Sequence, residues 1–272
     1  MDEFEWADVV WGTVLRCRPL LAVADHFFTT RQLPLRGTKP EEDSGWRAAA
    51  AAIGVEPARL ERMLQVHGTE AVEFPREPGA VAVSCPEPPA DIAITRDCSC
   101  ALAVKVADCV PVLLADPATG AVAAVHAGWR GTAAGAAGRA VAALASRYGS
   151  LPEELVAAVG PSIGPCCYEV GDDVLQAFEA AGHGARRIER WFAFDWESGR
   201  PHDGRSSVRG RLDLWSATRD QLVSAGLEER HVHVSRLCTA SNPELFWSYR
   251  RDGPRAGRLA AVIRPRGPRT RP

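Results

Sequence analysis

The sequence has almost no net charge and no long apolar run. Its 32 Lys and Arg residues nearly balance its 34 Asp and Glu residues, which leaves a formal charge of −2. A chain so close to neutrality lacks the positive field that attracts nucleic acid or an anionic membrane. No stretch approaches the roughly 18 apolar residues of a membrane span, and the acidic opening MDEFEWADVV lacks the basic and apolar segments of a secretory signal. We therefore expect a cytoplasmic protein that binds neither nucleic acid nor membrane.

Three motifs that would point to particular enzyme classes are also absent. The sequence contains no GxxxxGK[ST] loop for nucleotide phosphates and no GxGxxG turn for a dinucleotide. The zinc nucleobase deaminase pattern of H-x-E with PCxxC is missing, because Gly164-Pro-Cys-Cys-Tyr168 has the wrong spacing. These absences exclude the common nucleotide-binding and base-deaminating classes.

Cysteine is present, with eight residues, but its pattern does not indicate disulfides. A cytoplasmic location keeps thiols reduced. The pairs Cys98-Ser-Cys100 and Cys166-Cys167 are too closely spaced for the paired CxxC knuckles of a zinc ribbon. We expect most of the cysteines to be small buried apolar residues.

The composition is that of one globular α/β domain. Apolar residues make up 46% and charged residues 24% of the chain, close to the average for globular proteins. Strand-like and helix-like segments follow one another without a strict βαβ rhythm, which favours a mixed β-sheet core with packed helices. We predict a single domain over residues 1–263 and a disordered tail rich in Arg and Pro over residues 264–272.

The segment at residues 107–132 predicts a β-hairpin that carries reactive side chains. Two apolar runs at residues 110–115 and 121–125 flank the turn-forming residues 116–120. In the register that this spacing suggests, Cys109 and His126 lie nearly opposite each other, with Cβ atoms about 4.5–5.5 Å apart. Such a pair can share a metal ion or act as a nucleophile and its base. The hairpin alone leaves both chemistries open.

His67 is a candidate third member of this group. It ends a predicted strand at residues 60–67 and precedes Gly68. If it folds back onto the hairpin, two imidazoles and one thiolate leave a fourth tetrahedral position for water, as in catalytic zinc sites. A zinc ion would supply hydroxide near neutral pH.

Two glycine-rich segments are candidates for substrate binding. Gly128 and Arg130 stand where a predicted helix begins that runs to Tyr148. A helix start attracts anions, and the guanidinium adds a positive charge, although a simple helix cap is an equal alternative. Ser162 lies in the loop at residues 160–169 and could line a pocket.

Six motifs resemble the YfiH-type laccase-domain family, which is also called the polyphenol oxidase or purine nucleoside phosphorylase family. They are QVHG at 65–68, ADCVPVLLAD at 107–116, VHAGWRGT at 125–132, GPSIGPCCYEV at 160–170, Cys238-Thr239 and FWSYRRDG at 246–253. The resemblance implies a single α/β domain distantly related to a bacterial toxin deamidase. It also implies that His67, Cys109 and His126 bind one zinc ion, which is sometimes reported as copper.

The resemblance implies phosphorolysis of adenosine, inosine and methylthioadenosine, with hydrolytic deamination of adenosine. The expected partners are thus a nucleoside and phosphate, with Arg130 as phosphate contact and Asp108 as general base. The alternatives are a hydrolase with Cys109 as nucleophile and His126 as base, acting on peptidoglycan precursors, a polyphenol oxidase, or a zinc-binding module without activity. A blue-copper centre usually has an axial methionine, and the chain contains only Met1 and Met63. We expect a monomer or a weak homo-oligomer.

Overall fold

The computed structural model describes residues 3–33, 35, 44–75, 87–194 and 210–267. The strands in these residues are β1 (Phe4–Val9), β2 (Gly12–Cys17), β3 (Ala24–Thr29), β4 (Leu60–Glu61), β5 (Ala71–Glu73), β6 (Ile92–Thr95), β7 (Ala101–Val106), β8 (Val110–Ala115), β9 (Val122–Ala127), β10 (Val156–Val159), β11 (Glu169–Val170), β12 (Phe192–Phe194), β13 (Gly210–Leu212), β14 (Val232–Val234) and β15 (Leu259–Pro265). The α-helices are α1 (Arg18–Leu21), α2 (Ser44–Ile53), α3 (Trp129–Ala133), α4 (Ala136–Tyr148), α5 (Asp172–Ala180), α6 (Ala185–Trp191), α7 (Leu214–Ser224) and α8 (Tyr249–Asp252).

The strands form two six-stranded sheets and one small sheet. The first sheet has the order β1-β2-β3-β15-β7-β4, the second has the order β14-β10-β8-β9-β6-β5, and β11-β13-β12 form the third. Most neighbours are antiparallel, but β4 with β7, β5 with β6, and β10 with β14 are parallel. The predicted class, an α/β fold with mixed sheets and packed helices, is confirmed. Within the described residues no helix has the length and apolar character that would let it cross a membrane.

The two large sheets pack face to face, and each is covered by helices on its other face. One apolar cluster combines Leu102 and Ile263 of the first sheet with Leu113 and Ala124 of the second. Alternate residues of β8 and β9 instead pack against α4 and α7 in a second cluster, and α2 covers the outer face of the first sheet. Because both faces of β8 and β9 are buried, these strands read as continuous apolar runs.

The hairpin of β8 and β9 is confirmed, but its register differs from the predicted one. Pro111 pairs with His126 and Val110 with Ala127. Cys109, just before β8, therefore lies across from Gly128, two residues from the predicted partner. His126 and Cys109 are diagonal neighbours on one face of the ladder, a spacing that long side chains still bridge.

Two local predictions are wrong for identifiable reasons. The strand predicted at residues 60–67 extends only over β4, because residues 66–68 turn away to bind a carboxylate described below. The helix predicted to run from residue 132 to Tyr148 is interrupted, because Gly135 adopts φ +82° between α3 and α4. This left-handed conformation is one that glycine adopts without cost.

The C-terminal strand continues past the predicted domain boundary. β15 extends through Arg264 and Pro265, and the Arg264 guanidinium donates to the carbonyls of Ile53 and Gly54. The predicted tail therefore begins too early. Residues 268–272 lie outside the described residues.

Candidate metal centre and cavity

Three separate segments bring His67, Cys109 and His126 together. His126 belongs to β9, Cys109 immediately precedes β8, and His67 lies in the loop after β4. Their ligand atoms all lie within 4.8 Å of one another, and the two imidazole rings meet edge to face with centroids 4.8 Å apart. The set predicted from the sequence is thus assembled in the structure.

His67 owes its position to a buried carboxylate that the sequence analysis did not identify. Asp91 accepts hydrogen bonds from the backbone N–H groups of Val66 at 3.2 Å, His67 at 3.0 Å and Gly68 at 2.6 Å. This arrangement holds His67 in a left-handed conformation with φ 62°. The carboxylate thereby turns the chain so that the imidazole reaches the hairpin.

Asp91 also orients His126. The Nδ1 atom of His126 lies 2.7 Å from the Asp91 carboxylate, and the backbone N–H of His126 donates to the Asp91 carbonyl. With Nδ1 engaged, Nε2 is the nitrogen that remains to act as a ligand. One sequence signal could have revealed Asp91, since it is the acidic residue at the start of an apolar strand adjacent to β9.

Burial and hydrogen bonding act in opposite directions on the ionisable groups of this centre. Burial disfavours the Cys109 thiolate, but hydrogen bonds from His126 and His67 outweigh it and lower the pKa of Cys109. Burial also disfavours protonated His126, yet its bonds to Asp91 and Cys109 raise its pKa. The hydrogen bonds of His126 and Gly68 likewise hold the pKa of Asp91 low despite its burial. The centre therefore favours a thiolate, the form of cysteine that binds metals.

Gly128 provides the space around the thiolate. A Cβ atom at this position would lie 3.0 Å from Cys109 Sγ and 3.0 Å from His67 Cδ2, so only glycine leaves the ligands undisturbed. Two imidazole nitrogens and one thiolate form a donor set that suits zinc, with copper as a further match. The residues present therefore fit a bound metal ion.

The centre opens into a cavity of about 580 Å³ that carries several positive charges. Its lining includes the cationic side chains of Lys105, Arg130, Arg250 and Arg258. Aromatic rings of Trp129, Tyr168 and Tyr249 line it as well. The sequence analysis did not single out Lys105 or Arg258, because these two residues are 153 positions apart and meet here only after folding.

Arg130 and Arg250 are both placed against aromatic rings. The Arg130 guanidinium lies 4.1 Å from the Trp129 ring centroid, and that of Arg250 lies 5.0 Å from the Tyr168 ring. Arg250 also donates to the Glu169 carbonyl at 2.8 Å. These contacts orient two guanidiniums at the cavity wall, and among the described residues neither guanidinium pairs with a carboxylate.

The helix start at Gly128 differs from the sequence prediction. Gly128 caps α3, which has only five residues, so the dipole of a long helix does not act on this site. Arg130 lines the cavity, whereas Gly128 contributes space next to the ligands. Two features were predicted to attract an anion, the start of a long helix and the Arg130 guanidinium. The structure contains the guanidinium at the cavity but only a short helix there.

Asp108 lines the same cavity and is held firmly. Its φ is 87°, and its carboxylate accepts hydrogen bonds from the Thr239 hydroxyl and the Arg250 backbone N–H, both at 2.6 Å. Each carboxylate oxygen thus accepts one hydrogen bond. Asp108 links Cys109 to the segment that carries Arg250.

The structure does not place Ser162 at the cavity. Ser162 is completely buried, and its hydroxyl accepts a hydrogen bond from Trp215 Nε1 at 2.7 Å. Residues 160–164 match the GxSxG pattern of a hydrolase nucleophile. In those hydrolases the serine is exposed on a sharp turn, whereas Ser162 is buried. The structure therefore places the Ser162 hydroxyl in the core and not in the cavity lining.

These features define an α/β protein with a His₂Cys group able to hold a metal ion beneath a cationic cavity. The chain belongs to the family described as "Multi-copper polyphenol oxidoreductase laccase", whose model matches residues 42–266. The family resemblance inferred from the motifs is confirmed.

Relatives and solved structures agree with this assignment. A purine nucleoside phosphorylase of Deinococcus radiodurans is 37% identical over 265 residues, 93% of each chain. Purine nucleoside phosphorylase YlmD of Geobacillus stearothermophilus is 37% identical over 202 residues, 73% of this chain and 69% of that protein. The crystal structure of YlmD from the same species matches with a TM-score of 0.77 and 32% identity over 96% of this chain and 98% of that one. The crystal structure of the Bacillus licheniformis hypothetical protein YfiH matches with a TM-score of 0.81 and 26% identity, and the match covers 99% of this chain and 100% of that one.

Proposed function

We propose that this chain is a zinc-dependent purine nucleoside phosphorylase that acts on adenosine, inosine and methylthioadenosine and also deaminates adenosine. One observation carries the proposal: the His67–Cys109–His126 group and two oriented guanidiniums open into one cavity. The names of the curated relatives support it.

The cavity has the chemistry that a nucleoside and phosphate require. Its volume of about 580 Å³ falls in the usual range for small-molecule sites. The guanidiniums of Arg130 and Arg250 match phosphate oxygens in charge and in planar geometry. The rings of Trp129, Tyr168 and Tyr249 offer faces on which a purine can stack. Phosphate would thus bind at the guanidiniums and the base against the rings.

The remaining residues position groups and move protons. Zinc held by His67, Cys109 and His126 would supply hydroxide for deamination and polarise an oxygen of the substrate. Asp91 keeps His126 in the ligating tautomer. Asp108 lies beside Cys109 with acceptor positions left over, and we propose it as the group that takes a proton from the attacking nucleophile.

A cysteine hydrolase is the second candidate, and a specific observation favours it. Cys109, His126 and Asp91 form a chain of hydrogen bonds in which the pKa of the thiol is lowered. Nucleophile, base and orienting carboxylate are the elements of covalent catalysis. In this case the substrate would be an amide, such as a peptidoglycan precursor, and no metal would be needed.

The other two alternatives have less support. Met63, the methionine among the described residues, is buried in the apolar cluster between the sheets and is not grouped with the His₂Cys residues, so within the described part of the chain no methionine offers a blue-copper axial ligand. In the described residues the second group able to hold a metal consists of cysteines alone, which does not resemble the histidine-rich copper cluster of an oxidase. A module without activity would not need the cationic cavity.

Metal analysis and a nucleoside assay distinguish these candidates. We expect the zinc content to fall by about one ion per chain in Cys109→Ala and to stay at the wild-type value in Cys98→Ser, whose thiol is not part of the His₂Cys group. Adenosine should yield adenine and ribose 1-phosphate only when phosphate is present. A metal-free preparation that remains fully active would contradict the proposal and favour the cysteine hydrolase.

Arg130→Ala tests the phosphate contact. Because a guanidinium–phosphate pair contributes about 1.5–3 kcal/mol, we expect the KM for phosphate to rise roughly tenfold or more while zinc content stays the same. The control is Arg139→Ala, an exposed arginine of α4 outside the cavity lining. An unchanged KM for phosphate in Arg130→Ala would show that this residue does not bind phosphate.

A further inference from the structure

A second cluster of thiols lies behind the cavity. The Sγ atoms of Cys166, Cys167 and Cys238 all lie within 4.8 Å of one another, and the first two are 3.5 Å apart. Cys238 is buried, Cys167 is half-buried and Cys166 is exposed. The cluster shares no residue with the His₂Cys group, and neither the family description nor the names of the relatives refer to it.

Backbone pairing brings the two segments of this cluster together. Ser162 and Cys238 form a parallel bridge, in which Ser162 N–H donates to the Leu237 carbonyl and Thr239 N–H to the Ser162 carbonyl. The loop is also held on its other side, because a Cβ atom at Gly164 would lie 2.4 Å from the Trp215 ring. The thiols are therefore placed by rigid neighbours.

The surroundings of Cys238 favour its thiolate. Its sulfur accepts a hydrogen bond from the Gly164 backbone N–H at 3.2 Å. Burial opposes ionisation, but this bond and those from Ser241 outweigh it and lower the pKa of Cys238. N–H groups that donate to sulfur are a common second layer around metal-bound thiolates.

We propose that Cys166, Cys167 and Cys238 form a second metal site that binds a thiophilic d¹⁰ cation, Zn²⁺ or Cu⁺. Three thiolates are soft ligands that select these ions over Mg²⁺, Ca²⁺ or Mn²⁺. With Zn–S bonds of about 2.3 Å, tetrahedral geometry separates the sulfurs by roughly 3.8 Å, and the observed spacing needs only small side-chain movements. Each thiol loses its proton as a sulfur–metal bond forms, so binding changes no oxidation state. The exposed Cys166 provides the route from solvent.

The position of the site connects it to the catalytic cavity at two points. Tyr168, which follows Cys167, lines the cavity. Thr239, which follows Cys238, donates to Asp108 at 2.6 Å. An ion that draws the three sulfurs together would therefore fix both Tyr168 and the Asp108 carboxylate.

Cadmium binding to the full-length reduced chain tests this proposal. The first centre is disabled by Cys109→Ser, so that any thiolate-to-metal charge-transfer band reports the second cluster. We expect this variant to bind about one Cd²⁺ per chain with such a band, and to bind Zn²⁺ in competition with it. Adding Cys166→Ser, an exposed position whose change leaves the core intact, should weaken Cd²⁺ binding roughly tenfold or more. Adding Cys98→Ser instead is the matched control and should change nothing.

Three results would overturn the proposal. The first is the absence of the band in Cys109→Ser, and the second is an equal loss in the Cys98→Ser control. The third is a band that Cys166→Ser and Cys238→Ser both leave unchanged. Circular dichroism of each variant confirms that binding is compared among folded chains. Because the readout is metal binding in a chain without the first centre, it is independent of the proposed nucleoside activity.

Discussion

Asp91 shows how one buried side chain can assemble a His₂Cys group from residues far apart in sequence. Its carboxylate accepts three backbone N–H groups of residues 66–68 and orients the ring of His126. The same residue thus controls the position of one ligand and the tautomer of another. Asp91 can do this because its charged carboxylate is buried and its short side chain keeps that carboxylate close to both segments.

The first prediction concerns Asp91→Asn. The amide group cannot accept from all four donors, so we expect metal affinity to fall about 10–100-fold in a chain that still folds. Chelator competition measures the affinity. Asp116→Asn is the control, since Asp116 is equally buried but caps the distant turn of the hairpin. Equal affinities in Asp91→Asn and the wild-type chain would contradict the role assigned to Asp91.

Gly128→Ala tests the space around the ligands. The added methyl group would press on Cys109 Sγ and His67 at 3.0 Å, so we expect weaker metal binding and a shift of the thiolate-to-metal absorption. In Gly138→Ala the new Cβ atom meets ordinary contacts at 3.8 Å or more within α4, and the exchange should stabilise the helix by up to about 1 kcal/mol. Should Gly128→Ala bind metal as the wild-type chain does, the ligands must be able to move apart.

At the scale of the elements, β2 and β3 are joined by a buried neutral histidine. His26 Nε2 accepts from the backbone N–H of Cys17 at 2.9 Å, and Nδ1 lies 3.3 Å from the Ala24 carbonyl. Burial lowers the pKa of His26 from 6.5 to about 4, with Arg16 and Arg266 acting in the same direction. A proton on Nε2 would turn this nitrogen from an acceptor into a donor, which would then face the N–H donor of Cys17.

This geometry predicts a loss of stability in mild acid. Between pH 6.5 and about 4 the unfolded chain protonates this histidine and the folded chain does not, so the free energy of unfolding should decrease by up to about 3 kcal/mol. Urea unfolding at several pH values measures it. In His26→Gln the slope over this range should be smaller, whereas His231→Gln, outside the β2–β3 pair, should keep the wild-type slope. Parallel curves for His26→Gln and the wild-type chain would exclude this contribution.

At the scale of the whole molecule, the His₂Cys group brings together segments that are distant in the sequence. His67 follows β4 of the first sheet, whereas Cys109 and His126 belong to the hairpin of the second. A bound ion would therefore link the two sheets at the edge of their shared core. Such a ligand set does not exist in the unfolded chain.

We consequently expect zinc to stabilise the fold. A ligand that binds only the native state adds about 2.7 kcal/mol at a concentration 100 times its Kd, which is seen as a higher Tm. Removing zinc with a chelator should reverse the effect. Cys98→Ser should respond as the wild-type chain does, and Cys109→Ser should respond less, because it lacks the His₂Cys group. A Tm insensitive to zinc in the wild-type chain would indicate that the ion does not bind the folded protein.

The sequence by itself determined the hairpin, the fold class and the three residues that meet in the His₂Cys group. Both hairpin strands are apolar on both faces because two layers cover them, and that pattern is visible in residues 110–115 and 122–127. The family motifs identified His67, which local periodicity had placed in a strand. Strand patterning was sufficient for the hairpin, whereas His67 needed the family motifs.

Only the tertiary structure decided how the ligands are held and what surrounds them. Asp91 acts through backbone groups of residues 66–68, and no local pattern encodes that contact. Lys105 and Arg258 reach one cavity because β7 and β15 are neighbours in the first sheet. Ser162 is buried because Trp215, from a remote helix, binds its hydroxyl. These contacts join residues distant in sequence, and their energies exist only once the sheets have packed together.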